Sequence, residues 1–238
     1  MKHTYLFFGE KTSETNWEIR EDETFHIKKV LRLLPGAEIE LTNGSGLKAT
    51  GILSQDFKSI ELVHEYKTSN DHGKNSNFTF LQAVLKKELI EEVLPGLVEI
   101  GVDAVYFYAQ NHAQKNIFSE KVFERAEKII EAAVKQSKRA YKPELKFLDN
   151  LEICHGFLKT FEGTKILFDP DSNNEIQNCN FSKNILALCG SEGGFSAQET
   201  DTFATLDFQS CKIAQPILRA RTASVVGSAL ILSQLSKI

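Results

Sequence analysis

The stretch Leu186-Ala187-Leu188-Cys189-Gly190-Ser191-Glu192-Gly193-Gly194-Phe195-Ser196-Ala197-Gln198-Glu199 decides how the second half of the chain is read. A short apolar run, the pattern of a buried strand, ends in a loop with three glycines, where backbone amides can approach a ligand closely. Ser196 and Glu199 then form an S-x-x-E capping box that starts a helix. The dinucleotide fingerprint would need glycine at position 192, and a phosphate-binding P-loop would need a following Lys-Ser/Thr, so neither applies. The stretch reads as a strand, a glycine-rich turn and a helix; the turn either holds a ligand or is simply a tight connection.

Outward from it, the same alternation recurs. Residues 78–84, 103–109, 166–168, 185–188 and 208–213 are apolar strand candidates. Leu85, Leu89, Val93, Leu97 and Ile100 recur at helical spacing, with Pro95 expected to kink or divide the helix. Ser119 is placed to cap a long helix whose stripe is Val122, Ile129, Ala133, Val134 and Ser137, and 222–235 reads as a closing apolar helix with Thr222 as its cap. Strands alternating with helices imply a mainly parallel sheet, which takes ligands beyond the carboxyl ends of its strands. One such end, Ile213-Ala214-Gln215-Pro216-Ile217-Leu218-Arg219-Ala220-Arg221, carries two arginines; taken alone they are site residues or merely exposed charges.

The first seventy residues differ in character. Glu38–Thr42 and Leu47–Leu53 flank Asn43-Gly44-Ser45-Gly46, a hairpin signal, and 59–63 continues the strand pattern. A short helix is expected at 24–34, stopped by Pro35-Gly36. Residues 67–77 hold no large apolar side chain and read as a linker, dividing the chain into domains at 1–70 and 77–238.

Composition sets limits on function. The chain has 238 residues, 42% hydrophobic and 25% charged, an ordinary globular balance with no run long enough to span a bilayer. No secretion signal is legible, so a cytoplasmic location is expected. Cys154, Cys179, Cys189 and Cys211 form no CxxC pair, and no HExxH is present, so reduced buried thiols and no metal site are expected. The net charge of -4 argues against nucleic-acid binding, yet residues 121–146 hold eight Lys or Arg against four Glu. Lys28, Lys29 and Arg32 form a second basic cluster. Local clusters, not net charge, decide phosphate affinity.

These motifs together resemble the SPOUT-class family that methylates uridine N3 in small-subunit ribosomal RNA. His26-Ile27-Lys28-Lys29-Val30-Leu31-Arg32, Pro35-Gly36 and Asn43-Gly44-Ser45-Gly46 resemble that family's PUA-like β-barrel. Glu99-Ile100-Gly101-Val102 resembles its E-L-G-V segment. Glu131-Ala132-Ala133-Val134-Lys135-Gln136-Ser137-Lys138-Arg139 with Pro143 resembles its E-A-x-x-Q-S-x-R-x-x-x-P helix end. The two loops above resemble its G-P-E-G-G-F-S and I-L-R-x-E-T-A motifs. Ser191 stands where the family usually has proline, Arg221 where it has glutamate and Gly96 where it has lysine, and a usual arginine is missing from 110–113.

The resemblance implies an α/β protein: a PUA-like barrel followed by a trefoil-knotted SPOUT domain with a mainly parallel sheet, acting as a homodimer. It implies S-adenosylmethionine as cofactor, held by Leu167, Leu188, Gly190, Glu192, Gly193, Gly194, Ile213, Gln215, Ile217 and Leu218. Arg219 would be catalytic, stabilising the uracil anion, while Lys28, Lys29, Arg32, Lys138 and Arg139 would grip RNA phosphates. Methylation of another RNA base, or a non-catalytic RNA-binding role, stays open at this point.

Overall fold

The protein is described by a computed structural model covering residues 4–68 and 77–235. Most of the expected linker, 69–76, lies outside the described residues. The chain divides into two compact units, Met1–Gly73 with Val134–Lys142, and Lys74–Ala133 with Pro143–Ile238. The stretch 134–142, which the sequence reading left in the second domain, groups with the first.

In the first unit β1 (Leu6–Lys11), β2 (Asn16–Ile19), β3 (Glu38–Thr42), β4 (Leu47–Leu53) and β5 (Ser59–Lys67) close a barrel in the order β1-β2-β5-β4-β3. β1 and β3 pair in parallel; the other neighbours are antiparallel. The Asn43 side chain accepts from the amides of Ser45 and Leu47 and so fixes the β3–β4 turn. Phe7, Trp17, Ile39, Leu41 and Ile60 point inward and are buried, as the alternation of a closed sheet requires. The helix expected at 24–34 begins earlier: α1 (Glu21–Phe25) widens into a π-helical turn, His26–Val30. Arg32, at φ 52°, ends it before Pro35 is reached.

The segment 134–142 is tied to this barrel by polar contacts. Lys135 Nζ lies 2.8 Å and 2.9 Å from the two carboxylate oxygens of buried Glu23. The Thr42 hydroxyl donates to Ala140 O, and Lys48 Nζ to Lys138 O.

The second unit contains β6 (Asn77–Val84), α2 (Lys87–Glu99), β7 (Ala104–Ala109), α3 (Glu120–Ser137), β8 (Glu144–Leu148), α4 (Leu151–Thr160) and β9 (Thr164–Phe168). Then come β10 (Asn184–Cys189), α5 (Ala197–Ala204), β11 (Phe208–Cys211) and α6 (Ala220–Gln234); the last turn of α3, from Val134, belongs with the barrel unit. The sheet order is β11-β9-β10-β6-β7-β8, and every pair is parallel. β2, β8 and α4 had no counterpart in the sequence reading. α2 runs across Pro95 without dividing, because the turns around the proline are buried through Val93, Leu94, Leu97 and Val98. The buried stripe of α3 runs through Ala126, Ile130, Ala133 and Val134, one position from the expected Ile129. α6 begins at Ala220, with Arg219 rather than Thr222 in the cap position; Arg219 O accepts from the amides of Thr222 and Ala223. Gly96 has a packing reason. A Cβ there would lie 2.7 Å from Val225 Cγ2, so glycine lets α2 and α6 approach closely.

Lys135→Met should destabilise the barrel unit by about 2–3 kcal/mol, because it strands the buried Glu23 carboxylate while Lys135 itself keeps some solvent contact. Glu23→Gln should cost less, since a neutral amide needs no counter-charge. Urea unfolding followed by the fluorescence of Trp17, the single tryptophan, checks this; equal midpoints for wild type and Lys135→Met would refute it.

Candidate active site

At the carboxyl edge of the sheet the turns after β9, β10 and β11 converge. They enclose a cavity of about 730 Å³, within the range of cofactor sites. Leu167, Phe168, Asp169, Pro170 and Asp171 form one wall. Cys189, Gly190, Ser191, Glu192, Gly194 and Phe195 form the second, and Ile213, Ala214 and 216–220 the third, with Thr200 and Ala223 completing the lining. Strand order reverses between the adjacent strands β6 and β10, and the cavity lies to one side of that point, lined from β9, β10 and β11 and by no residue of β6.

The glycine turn is tight. Ser191 and Gly194 face each other across it, Gly194 N donating to Ser191 O at 2.9 Å. Gly194 sits at φ 71°, a left-handed conformation that suits glycine. The capping box is complete: Ser196 Oγ accepts from Glu199 N, and Glu199 Oε2 accepts from Ser196 N. Glu199 is buried, and its carboxylate also accepts from the Tyr108 hydroxyl at 2.9 Å and from Gln110 Nε2 at 3.0 Å. Burial and the neighbouring Glu199 carboxylate push the Tyr108 phenol far up, so it stays a neutral donor. The Cys189 thiol on the cavity wall is pushed up to about 12 by burial. It stays protonated at neutral pH and offers no nucleophile. All four cysteines are free and buried.

The cavity brings together Leu167, Gly190, Glu192, Gly194, Ile213, Ile217, Leu218 and Arg219 from the sequence reading. Three others stand apart. Leu188 is wholly buried in the sheet, where its side chain packs in the core. Gly193 is not among the residues that line the cavity. Gln215 lines a second cavity of about 340 Å³ with Glu175, Lys212 and Gln234. The sequence reading missed the Asp169-Pro170-Asp171 turn, although it follows a recognised strand at the same edge. Arg219 and Ile217 are exposed at the third wall. Arg221 lies on α6, its Nη1 3.5 Å from Glu92 Oε2 of α2, a half-exposed pair worth at most about 1 kcal/mol.

The basic residues divide. Lys28, Lys29 and Arg32 are exposed in the barrel unit beside exposed Phe25, Val30 and Leu34. Lys28 Nζ sits 4.6 Å over the Phe57 ring. Lys138 is exposed, with Nζ 3.5 Å from Glu40 Oε2. Arg139 is 5% exposed, so its guanidinium is not presented on the surface as a phosphate grip requires. Among the described residues no His, Cys, Asp and Glu cluster suits a metal, and no helix is long and apolar enough to cross a membrane.

A family model described as an RNA methyltransferase domain matches residues 72–232, and one described as an RNA methyltransferase PUA domain matches 19–63. A ribosomal RNA small subunit methyltransferase E of Mesomycoplasma hyopneumoniae is 31% identical over 175 residues, spanning 73% of this chain and 76% of the relative. The chain belongs to that family. The barrel is therefore its PUA domain and the parallel sheet its RNA methyltransferase domain. A family member from Neisseria gonorrhoeae, solved bound to S-adenosyl methionine, matches with a TM-score of 0.84 at 23% identity, covering 98% of each chain. A predicted RNA methyltransferase from Thermotoga maritima matches with a TM-score of 0.76 at 26% identity, covering 98% of this chain and 100% of that one.

Alanine at the three turn glycines should separate them. Gly194→Ala should cost about 1–2 kcal/mol through left-handed strain. Gly190→Ala should also destabilise, because its Cβ would sit 3.3 Å from the Gly194 main chain. Gly193→Ala, whose Cβ meets only Leu85 and Ser191 at ordinary distances, should stay within about 0.5 kcal/mol of wild type. Thermal midpoints test the order, and a Gly193→Ala loss equal to that of Gly194→Ala would overturn it.

Proposed function

We propose that this enzyme methylates N3 of a uridine in small-subunit ribosomal RNA, using S-adenosylmethionine. The observation that carries the reading is the cavity where three carboxyl-end turns meet. Its walls combine main chain at 190–192 and 194 with apolar side chains and the carboxylates of Asp169, Asp171 and Glu192, a donor set suited to a cofactor that is both apolar and cationic. When bound, that cofactor supplies an electrophilic methyl group on a positive sulfonium.

Leu167, Gly190, Gly194, Ile213, Ile217 and Leu218 would hold it and fix the direction from which a base is met, a proximity effect. Uracil N3 carries a proton, and the base becomes a nucleophile when that proton leaves. Arg219, exposed at the third wall, would stabilise the resulting negative charge on the carbonyl oxygens. Lys28, Lys29, Arg32 and Lys138 would hold RNA phosphates without reading sequence. In this reading 1–70 serves RNA binding and 77–238 methyl transfer, the second domain carries the SPOUT trefoil knot, and the enzyme works in the cytoplasm as a homodimer. Supporting the dimer, α6 is apolar along most of its length and leaves Val226 exposed.

Arg219→Ala should slow methyl transfer to saturating RNA by roughly a hundredfold in single-turnover assays, with S-adenosylmethionine affinity within a few-fold of wild type by calorimetry. A variant as fast as wild type would reduce Arg219 to a phosphate contact, and a wild type that binds no S-adenosylmethionine would sink the functional reading itself. For assembly, light scattering at tens of micromolar should return twice the 26.8 kDa chain mass; a monomer mass would refute the dimer.

A further inference from the structure

Two buried carboxamides stand behind the glycine turn, and neither lines the cavity. Gln82, at the carboxyl end of β6 and directly opposite Cys189 of β10, has no solvent exposure. Its Nε2 donates to Gly190 O at 2.8 Å, Ala83 O at 2.9 Å and Cys189 O at 3.2 Å. Its Oε1 lies 2.6 Å from the Ser224 hydroxyl of α6, whose single proton it shares with Ala220 O at 2.7 Å. One side chain thus joins the start of the glycine turn to the helix that follows the third wall. Gln110, one residue beyond β7 and 8% exposed, holds the other end: its Nε2 lies 3.0 Å from Gly194 O and 3.0 Å from both Glu199 oxygens.

We infer that Gln82 and Gln110 are positioning residues for the cofactor turn, setting where the main chain of 190–194 stands relative to α6. The inference rests on the proposed S-adenosylmethionine site. A carboxamide fits this task because its amine donates to main-chain carbonyls while the group stays neutral, and at Gln82 its oxygen also accepts from Ser224. Buried carbonyls left without those donors would move to find others, and the turn would move with them.

The test is calorimetric titration of the full chain with S-adenosylmethionine. Gln82→Met keeps the side-chain volume and removes the hydrogen bonds; it should raise Kd roughly tenfold, the worth of one net hydrogen bond. Gln110→Met should shift it in the same direction, and the KM for RNA should hold within about twofold in both. Gln82→Glu supplies a readout that simple loss of packing would not move. Its carboxylate would face three carbonyl oxygens, and burial would favour the protonated acid, which donates to Gly190 O as the amide does. Its cofactor affinity should therefore recover as pH falls, while wild type stays level. If Gln82→Met does not fold, Ser224→Ala decides the same point through a smaller rise in Kd. Wild-type affinity in the Met variants, or in Ser224→Ala together with a pH-independent Gln82→Glu, overturns the inference. A wild type that binds nothing overturns the site beneath it instead.

Discussion

The pairing of β6 with β10 is the contact on which the second unit depends. It joins Gln82 to Cys189, 107 positions apart, in a parallel register that runs six residues from Asn184 opposite Asn77 to Cys189 opposite Gln82. Parallel strands need covered faces and crossovers, so this one register obliges the helices to pack on both sides. It also brings all the carboxyl ends to one edge. A shift by one residue would turn Leu81 and Ala83 out of their core and carry Gln82 away from the glycine turn. Sheet stability and site geometry are therefore set by the same hydrogen-bond ladder.

Much of this was readable from residue patterns. Strong apolar runs, the Asn43–Gly46 hairpin and the Ser196–Glu199 capping box are local signals, and each appears where its chemistry places it. β2 and β8 are short and polar on one face, so four or five residues gave too little periodicity to register. The walls at 190–194 and 213–219 were visible because glycine and arginine are conspicuous at strand ends. Asp169-Pro170-Asp171 resembles any surface turn until the sheet order shows which edge it occupies. Gln82 and Gln110 were illegible for a deeper reason. A glutamine acquires such a task only through the groups facing it, and the turn carbonyls lie 107 and 108 positions from Gln82 and 84 from Gln110.

Two departures from the family pattern meet between α2 and α6. Gly96 admits Val225, and Arg221 faces Glu92. The α6 helix that follows the third wall is thus seated on α2 by close apolar packing and a peripheral charge pair. The side exposed to water contributes little energy there; the close approach contributes more.

The composition of the barrel unit bears on how the chain is made. Although its strands end at Lys67, the unit also contains Val134–Lys142, including the lysine that neutralises Glu23. During synthesis the amino-terminal domain cannot reach its final form when its last strand leaves the ribosome. It must wait while β6, α2, β7 and α3 emerge, carrying a buried acid whose counter-ion has not yet been translated. The usual order, in which the first domain is finished before the second begins, is replaced here by interleaved completion. A nascent chain arrested near residue 100 holds neither unit in its finished state.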